Sequence, residues 1–132
     1  MKNLNELNFS SMGKYVNTKP RHSESKLQQA CVRWFKIQYP KETIFAIPNG
    51  GKRNALEAKI MKGEGVLAGV SDLFVMKPSK NYCGLFIEMK TGKNKLSVNQ
   101  KEFLTIAKSK GYKTAVCYSL DDFAKEVNNY MK

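Results

Sequence analysis

The 132-residue sequence predicts an α/β domain with a central mixed β-sheet flanked by helices. Strand-like and helical segments alternate along the chain, and the helical segments are long enough to cover a sheet. Apolar residues make up 42% of the sequence, which is sufficient for one compact core in a chain of this length. We therefore expect a single folded domain.

The first 22 residues show no sustained hydrophobic period and are rich in Asn, Ser, Lys and Gly. We interpret residues 1–22 as a flexible basic arm and residues 23–132 as the folded domain. Such an arm either wraps DNA or is a frayed terminus, and the sequence leaves both open. The clearest helix is Ser23–Tyr39, because Ser23 can serve as its N-cap, apolar residues follow at helical spacing, and Pro40 ends it.

The remaining elements are bounded by turn-forming residues. Gly63 ends the helix that follows the first strand. Residues 71–76 and 85–89 are apolar strands joined by a stretch of turn formers, so we expect them to pair antiparallel. Ser97 caps the next helix and Gly111 ends it. The predicted strands are 43–47, 71–76, 85–89 and 114–118, and the predicted later helices are 53–62, 97–110 and 120–130.

The net charge of +12 arises from 23 Lys and Arg against 11 Asp and Glu, and it predicts a polyanionic partner. Nucleic acid is the first candidate, because basic side chains that neutralise phosphates release counterions. An anionic membrane is the alternative, but no amphipathic helix gathers its basic residues on one face. We find no bilayer-spanning apolar run and no signal peptide, so we expect a cytoplasmic protein.

Three cysteines, Cys31, Cys83 and Cys117, are widely separated along the chain. We interpret them as reduced small hydrophobes. A zinc site is not expected, because the sequence has no CxxC pair and its single histidine, His22, lies far from all but one cysteine.

Two acids and a lysine on neighbouring predicted strands are candidates for a catalytic site. Alternate side chains of a strand share a face, so Glu88 and Lys90 point to one side. Asp72 begins the preceding strand, and antiparallel pairing would bring it to Glu88. Two carboxylates with substrate oxygens can hold Mg²⁺, and a lysine ammonium can orient a water or offset charge on a phosphate. This pattern indicates metal-dependent hydrolysis of a phosphodiester bond.

The alternative for Glu88 and Lys90 is an exposed ion pair of little energetic value. Their position favours the functional interpretation, because these charges and Asp72 interrupt apolar strands. Burying such charges unpaired would cost several kcal/mol.

Gly69–Asp72 (GVSD) followed by Ile87–Lys90 (IEMK) resembles the signature of the PD-(D/E)xK nuclease superfamily. More narrowly, the chain resembles the VRR-Nuc domain, particularly the small stand-alone versions found in phages. The likeness runs from about Glu24 to Tyr118. One departure is Ser71, which stands where the signature has proline, a residue that shapes the turn rather than the chemistry. The other motifs that carry the resemblance are ESKLQQ at 24–29, PNGGKR at 48–53 and SVNQ at 97–100.

The resemblance implies a restriction-endonuclease-like core, dependence on Mg²⁺ or Mn²⁺, and cleavage of DNA, often of branched DNA such as four-way junctions. It also implies roles for individual residues by position. The implied metal ligands are Asp72, Glu88, the Met89 carbonyl and Glu24, and the implied catalytic residues are Asp72, Glu88, Lys90 and Gln100.

Glu24 and Gln100 each have a structural alternative. Glu24 would lie in the first turn of the predicted helix, where the helix dipole favours an acid even if the residue has no function. Gln100 lies three positions after Ser97 and is equally suited to a capping box.

The loop 49–53 is interpreted as a phosphate clamp, because glycine amides beside basic side chains suit a nucleic-acid backbone. A plain turn with solvated charges is equally open. Three lysines near the presumed site are expected to contact the same nucleic-acid strand. The default interpretation of any one of them is a solvated charged face. Trp34 and Phe35 are expected in the core rather than stacked on bases. The predicted DNA-binding residues are Asn49, Gly50, Lys52, Arg53, Lys62, Lys93 and Lys95.

The sequence thus predicts a metal-dependent, structure-selective DNA endonuclease. A basic DNA-binding module without catalysis and an RNA-acting nuclease of the same fold remain the alternatives. We expect a homodimer, because symmetrical cleavage of a four-way junction favours a two-fold pair of active sites.

Overall fold

The computed structural model describes residues 19–48 and 54–132. Within them, four strands form one sheet in the order β1-β2-β3-β4, in which β1, β2 and β3 pair antiparallel and β3 and β4 pair parallel. The predicted α/β fold with a central mixed sheet is confirmed. The strands are β1 Ile44–Ala46, β2 Leu73–Val75, β3 Leu85–Met89 and β4 Lys113–Cys117. The helices of the described residues are α1 Lys19–Gln38, α2 Ala55–Gly63, α3 Val98–Ser109 and α4 Leu120–Met131.

The main core lies between one face of the sheet and the helices α1 and α4, which pack on each other. Phe35 is buried there and Trp34 packs against its edge, so the prediction that both belong to the core is confirmed. The opposite face of the sheet carries α3, which supplies the crossover that a parallel pair of strands requires. The buried residues contributed by the strands are Ile44, Leu73, Val75, Leu85, Ile87, Met89, Ala115 and Cys117.

The first helix begins earlier than the sequence indicated. It starts at Lys19, so Ser23 lies inside it and the prediction of Ser23 as N-cap is wrong. Pro20 falls in the first turn, where the missing N–H of proline costs no hydrogen bond. The helix ends at Gln38, because the residue before Pro40 is biased away from helical backbone. Most of the predicted arm, residues 1–18, lies outside the described residues, and its role stays a prediction.

The β2–β3 hairpin is antiparallel as predicted, with Leu73 opposite Ile87. The loop that closes it is tied to the end of α4. Ser79 Oγ donates to the Tyr130 carbonyl at 2.5 Å, and the Lys80 ammonium donates to the Asn129 carbonyl. The Tyr130 hydroxyl donates in return to the Lys77 carbonyl at 2.5 Å. Polar groups at this end of the hairpin are therefore paired.

The cysteines are free thiols, but they do not share one environment. Cys31 and Cys117 are buried, and burial raises the pKa of Cys31 to about 11 and that of Cys117 to about 12. Both fit the predicted role of small hydrophobes. Cys83 is exposed in the loop between β2 and β3, so that interpretation is wrong for Cys83.

Among the described residues, no helix combines the length and the apolarity needed to cross a bilayer.

Candidate active site

Asp72 and Glu88 face each other at the end of the β2–β3 hairpin. The register that pairs Leu73 with Ile87 places Asp72 opposite Glu88 when it is extended by one residue. Directly opposite residues of an antiparallel pair share a face, with Cβ atoms about 4.5–5.5 Å apart. The Asp72 backbone carbonyl also accepts a hydrogen bond from the Ile47 N–H at 2.8 Å. The start of β2 is therefore held between its neighbours, with both carboxyl groups on one side.

The Asp72 side chain accepts a hydrogen bond from a backbone N–H of β3, just beyond the last paired residues of β2 and β3. Its Oδ2 accepts from the Met89 N–H at 2.7 Å. The N–H and C=O of one strand residue point to the same side, so the Met89 carbonyl also faces the Asp72 side. This hydrogen bond orients the Asp72 carboxyl group at the end of the strand pair.

Glu88 is 2% exposed and has one carboxylate oxygen without a hydrogen-bond partner. Its Oε1 accepts from Gln100 Nε2 at 2.9 Å, whereas Oε2 is the unpaired atom. Burial raises the pKa of Glu88 to about 9, and the charge of the neighbouring Asp72 carboxyl adds to the shift. The Lys90 ammonium works in the opposite direction. A buried carboxylate beside a second acid is costly without a cation.

Gln100 makes both contacts that the sequence left as alternatives. Its Oε1 accepts from the Ser97 N–H at 2.8 Å, and Ser97 Oγ accepts from the Gln100 N–H at 3.1 Å. This capping box confirms Ser97 as the N-cap of α3. The amide nitrogen that remains donates to Glu88. The start of α3 therefore fixes the orientation of the buried carboxylate.

Gly69 allows the first turn of α3 to approach the loop before β2. A Cβ at this position would lie 2.4 Å from the backbone carbonyl carbon and oxygen of Asn99. The residue also has a φ of 90°, which side chains rarely adopt. Because Asn99 precedes Gln100, a side chain at Gly69 would displace the residue that contacts Glu88. The sequence showed this glycine within GVSD but did not show what it contacts.

Glu24 and Lys90 lie at the edge of the same site. Burial raises the pKa of Glu24; the nearby Lys90 ammonium lowers it and the Asp72 charge raises it. Glu24 Oε2 accepts from Asn94 Nδ2 at 3.4 Å, and the Asn94 carbonyl accepts from the Tyr118 hydroxyl at 3.0 Å. The sequence analysis missed Asn94 and Tyr118, since nothing in the local pattern distinguishes them from other loop residues.

The donor set fits a hard cation that keeps some of its water. Within residues 19–48 and 54–132, no three His, Cys, Asp or Glu side chains are grouped as a metal cage. Mg²⁺ requires less, since one or two carboxylates, a carbonyl and waters suffice. Asp72, Glu88 and the Met89 carbonyl offer such a set, and the unpaired Glu88 oxygen is the observation that favours it.

The predicted DNA-binding residues are only partly described. Lys62 is exposed near the end of α2, and Lys93 and Lys95 are exposed on either side of Asn94. These two lysines therefore border the residue that contacts Glu24. The other candidates, Asn49, Gly50, Lys52 and Arg53, lie outside the described residues.

The fold and the paired acids define a nuclease domain of the restriction-endonuclease-like class. The family model of the VRR-NUC domain matches residues 21–121, and the chain belongs to this family. Among solved structures, a VRR_NUC domain protein is similar with a TM-score of 0.71 and 28% identity, over 82% of this chain and 87% of that one. No curated protein matches the chain. Membership implies a nuclease-type function that acts on DNA.

Proposed function

We propose that the protein is a Mg²⁺- or Mn²⁺-dependent endodeoxyribonuclease that hydrolyses phosphodiester bonds in branched DNA, such as four-way junctions. The observation that carries the proposal is the buried Glu88 carboxylate, which faces Asp72 and keeps one oxygen without a partner. A structural salt bridge would not leave that oxygen unpaired. A site that receives a cation together with its substrate would leave this oxygen unpaired in the free protein.

Asp72, Glu88 and the Met89 carbonyl would hold the metal, and Glu24 would assist from α1. When bound, the ion supplies positive charge against the phosphate and acidifies a coordinated water. The hydrogen bond from the Met89 N–H keeps the Asp72 carboxyl oriented before the ion arrives. Gln100 does the same for Glu88. The carboxylates are thus positioned in advance, which lowers the cost of ordering them during binding.

Lys90 is the proposed catalytic lysine. It follows Glu88 by two residues, so its side chain lies on the same face of the strand end. Its backbone N–H donates to the Cys117 carbonyl at 2.9 Å, which continues the pairing of β3 with β4. A fixed backbone lets the ammonium orient the attacking water or offset charge on the phosphate. Its effect on the pKa of both Glu24 and Glu88 indicates that it lies within electrostatic reach of both acids.

The basic surface supports a polyanionic substrate. The net charge is +12, and the ion pair shown among the described residues joins Lys77 to Glu42 at 3.1 Å. Most basic side chains of the described residues therefore form no ion pair with a carboxylate and can neutralise phosphates. We assign DNA contacts to Lys62, Lys93 and Lys95, and to the predicted clamp formed by Asn49, Gly50, Lys52 and Arg53.

A homodimer is the proposed assembly, since a four-way junction offers two equivalent strands for cleavage. Helix α2 has no buried residue, and Leu56 and Ile60 on it are 67% and 51% exposed. Exposed apolar surface of this kind is typical of a protein interface. Analytical ultracentrifugation of the wild type and of Ile60→Glu tests the assignment. A monomeric wild type would contradict it.

A cleavage panel tests the function. Linear, flapped, Y-shaped and four-way DNA, with matching RNA junctions, are incubated with Mg²⁺, Mn²⁺ or chelator. We expect metal-dependent cleavage of the four-way DNA above all others. Intact DNA despite binding would favour a non-catalytic module, and preferred cleavage of the RNA junction would favour the RNA-acting alternative.

Variants connect that cleavage to the site. Asp72→Ala, Glu88→Ala and Lys90→Ala should abolish cleavage and preserve folding and most salt-sensitive binding, because the basic surface is unchanged. Asp121→Ala, an exposed acid in the first turn of α4, is the matched control. Cleavage at the wild-type rate by any of the three would remove that residue from the site. Arg53→Ala should instead weaken binding at moderate salt, and unchanged affinity would favour the plain-turn interpretation of loop 49–53.

A further inference from the structure

Three phenylalanine rings form a ladder across the sheet, on the face that carries the candidate active site. Phe45 pairs with Phe74, and Phe74 pairs with Phe86. The ring centroids are 5.6 Å apart in the first pair and 4.6 Å apart in the second. Alternate residues of a strand share a face, so Phe74 lies on the face of Asp72 and Phe86 on the face of Glu88. The ladder therefore runs beside both carboxylates.

The two ends of this ladder have different surroundings. Phe86 packs against Phe103 of α3 and against Tyr112, with centroid distances of 5.1 and 5.2 Å. Phe45 lies on the edge strand β1, and its side chain is 43% exposed. Its aromatic neighbour is Phe74, in an edge-on arrangement with 64° between the ring planes. The outermost ring of the ladder thus presents aromatic surface to solvent.

The distance from Phe45 to the carboxylates suits a neighbouring nucleotide. Phe74 is two residues from Asp72, which is about 7 Å along the strand, and β1 lies about 4.8 Å from β2. Duplex DNA rises about 3.4 Å per nucleotide along one strand, so the ring lies within a few nucleotides of a phosphate bound at Asp72 and Glu88. A base at that place can meet the ring only if it is not paired and stacked within a duplex.

We propose that Phe45 is a stacking platform for an unpaired DNA base next to the scissile phosphate. The inference rests on the proposed function for the position of that phosphate. A base rather than a protein partner is favoured because the ring is continuous with the active-site face of a protein whose net charge is +12. Aromatic side chains that bind single strands use the same contact, which tolerates any base. Phe45 is thereby a specificity residue that favours branch points, flaps and other distorted sites over continuous duplex.

A fluorescence experiment in chelator detects stacking without cleavage. The probe is a four-way junction that carries 2-aminopurine, a fluorescent adenine analogue, as one extra unpaired base inserted beside the branch. Wild-type protein should quench this fluorescence, and Phe45→Leu should lose the quenching. Its affinity for the junction should fall about 5- to 100-fold, the range of one lost base stack. Phe45→Tyr, which keeps an aromatic ring, should restore both, and thermal melts verify that each variant folds.

Two controls separate stacking from general apolar binding. Met76 lies on the same face of its strand as Phe74, farther from Asp72, and its side chain is 57% exposed. Met76→Ala should leave quenching and junction affinity unchanged, and Phe45→Leu should leave affinity for continuous duplex unchanged. Equal loss with Met76→Ala, equal loss on duplex, or full quenching by Phe45→Leu would each overturn the proposal.

The readout also distinguishes this inference from the proposed function. Quenching that depends on Phe45 in a protein that cleaves no DNA would leave the stacking site standing and overturn the nuclease proposal. Cleavage of junctions by a wild type that does not quench the probe would leave the nuclease proposal standing and overturn the stacking site. With Mg²⁺ present, Phe45→Leu should raise KM for the junction and leave kcat within a few-fold of the wild type.

Discussion

The two ends of the β2–β3 hairpin differ in how their polar side chains are hydrogen-bonded. At the loop end, Ser79, Lys80 and Tyr130 each place a polar side-chain atom on a backbone carbonyl. At the other end, Ser71 Oγ and Glu88 Oε2 are the buried side-chain atoms of the described residues that have no hydrogen-bond partner. Unpaired buried polar atoms typically cost about 1–3 kcal/mol each.

The difference indicates where the hairpin favours stability and where it favours function. A buried carboxyl group that is costly to ionise in the free protein becomes favourable to ionise when a cation binds beside it. Active sites commonly show this trade between stability and activity. Substitutions at the two ends should therefore have opposite effects on folding, and the following predictions depend on that contrast.

Glu88→Gln should have the largest effect on activity. The amide keeps the shape of the side chain and can still accept a hydrogen bond from Gln100, but it supplies no negative charge for a metal. We expect the rate of junction cleavage to fall at least ~10²-fold in Mg²⁺. Single-turnover cleavage measures this, with circular dichroism as the folding control. A variant that retains the wild-type rate would exclude Glu88 as a ligand.

The same variant should change how stability depends on pH. The pKa of Glu88 is raised from 4.5 to about 9 in the folded state. Below pH 4.5 the carboxyl is protonated in both states and carries no penalty. As pH rises towards about 9, the unfolded chain releases the proton while the folded chain retains it, so the free energy of unfolding falls.

Urea unfolding in chelator at pH 5, 7 and 8.5 measures this dependence. The difference in free energy of unfolding between Glu88→Gln and the wild type removes the contributions of all other groups. We expect Glu88→Gln to be the more stable protein by about 1–3 kcal/mol at pH 8.5, and the difference to shrink towards pH 5. A difference that stays constant over this range would contradict the assigned shift.

Gly69→Ala should destabilise the protein by about 2–4 kcal/mol, because the left-handed backbone costs about 1–2 kcal/mol and the contact with Asn99 adds a packing cost. Cleavage should fall as well, since the start of α3 carries Gln100. Gly65→Ala is the matched control, because Gly65 also has a positive φ but an added Cβ there meets nothing within 4 Å. Equal losses of stability in the two variants would show that the contact with Asn99 is unimportant.

The site could be predicted from sequence as far as strand geometry reaches. Alternation along β3 and antiparallel pairing were enough to place Glu88 opposite Asp72 and to put Lys90 on the same side. Each of these relations depends on the regular geometry of a strand or a strand pair. The order and type of the elements followed from the same local patterns.

Contacts between distant segments could not be predicted in this way. The approach of Asn99 to Gly69 and the hydrogen bond from Asn94 to Glu24 depend on how α3 and the loop after β3 pack against other elements. The early start of α1 was missed because two local signals compete. Pro20 suits the first turn of a helix, and the capping signal of Ser23 then falls inside the helix.

Tyr130→Phe tests the paired end of the hairpin. It removes the hydroxyl that donates to the Lys77 carbonyl, and it keeps the ring that packs in the core. We expect a loss of about 1–2 kcal/mol in the free energy of unfolding, with cleavage unchanged because the loop lies at the far end of the strands. Urea unfolding and single-turnover cleavage measure the two quantities. Reduced cleavage by a folded variant would show that the two ends are coupled.

The smallest effects should come from two serines, and their signs should differ. Ser71→Ala removes a buried hydroxyl without a partner, so the free energy of unfolding should stay constant or rise by up to ~1 kcal/mol. Ser79→Ala removes a hydroxyl that donates to the Tyr130 carbonyl, so the free energy of unfolding should fall by about 1 kcal/mol. A clear loss of stability in Ser71→Ala would mean that its hydroxyl is paired in solution, and the contrast between the two ends would then rest on Glu88 alone.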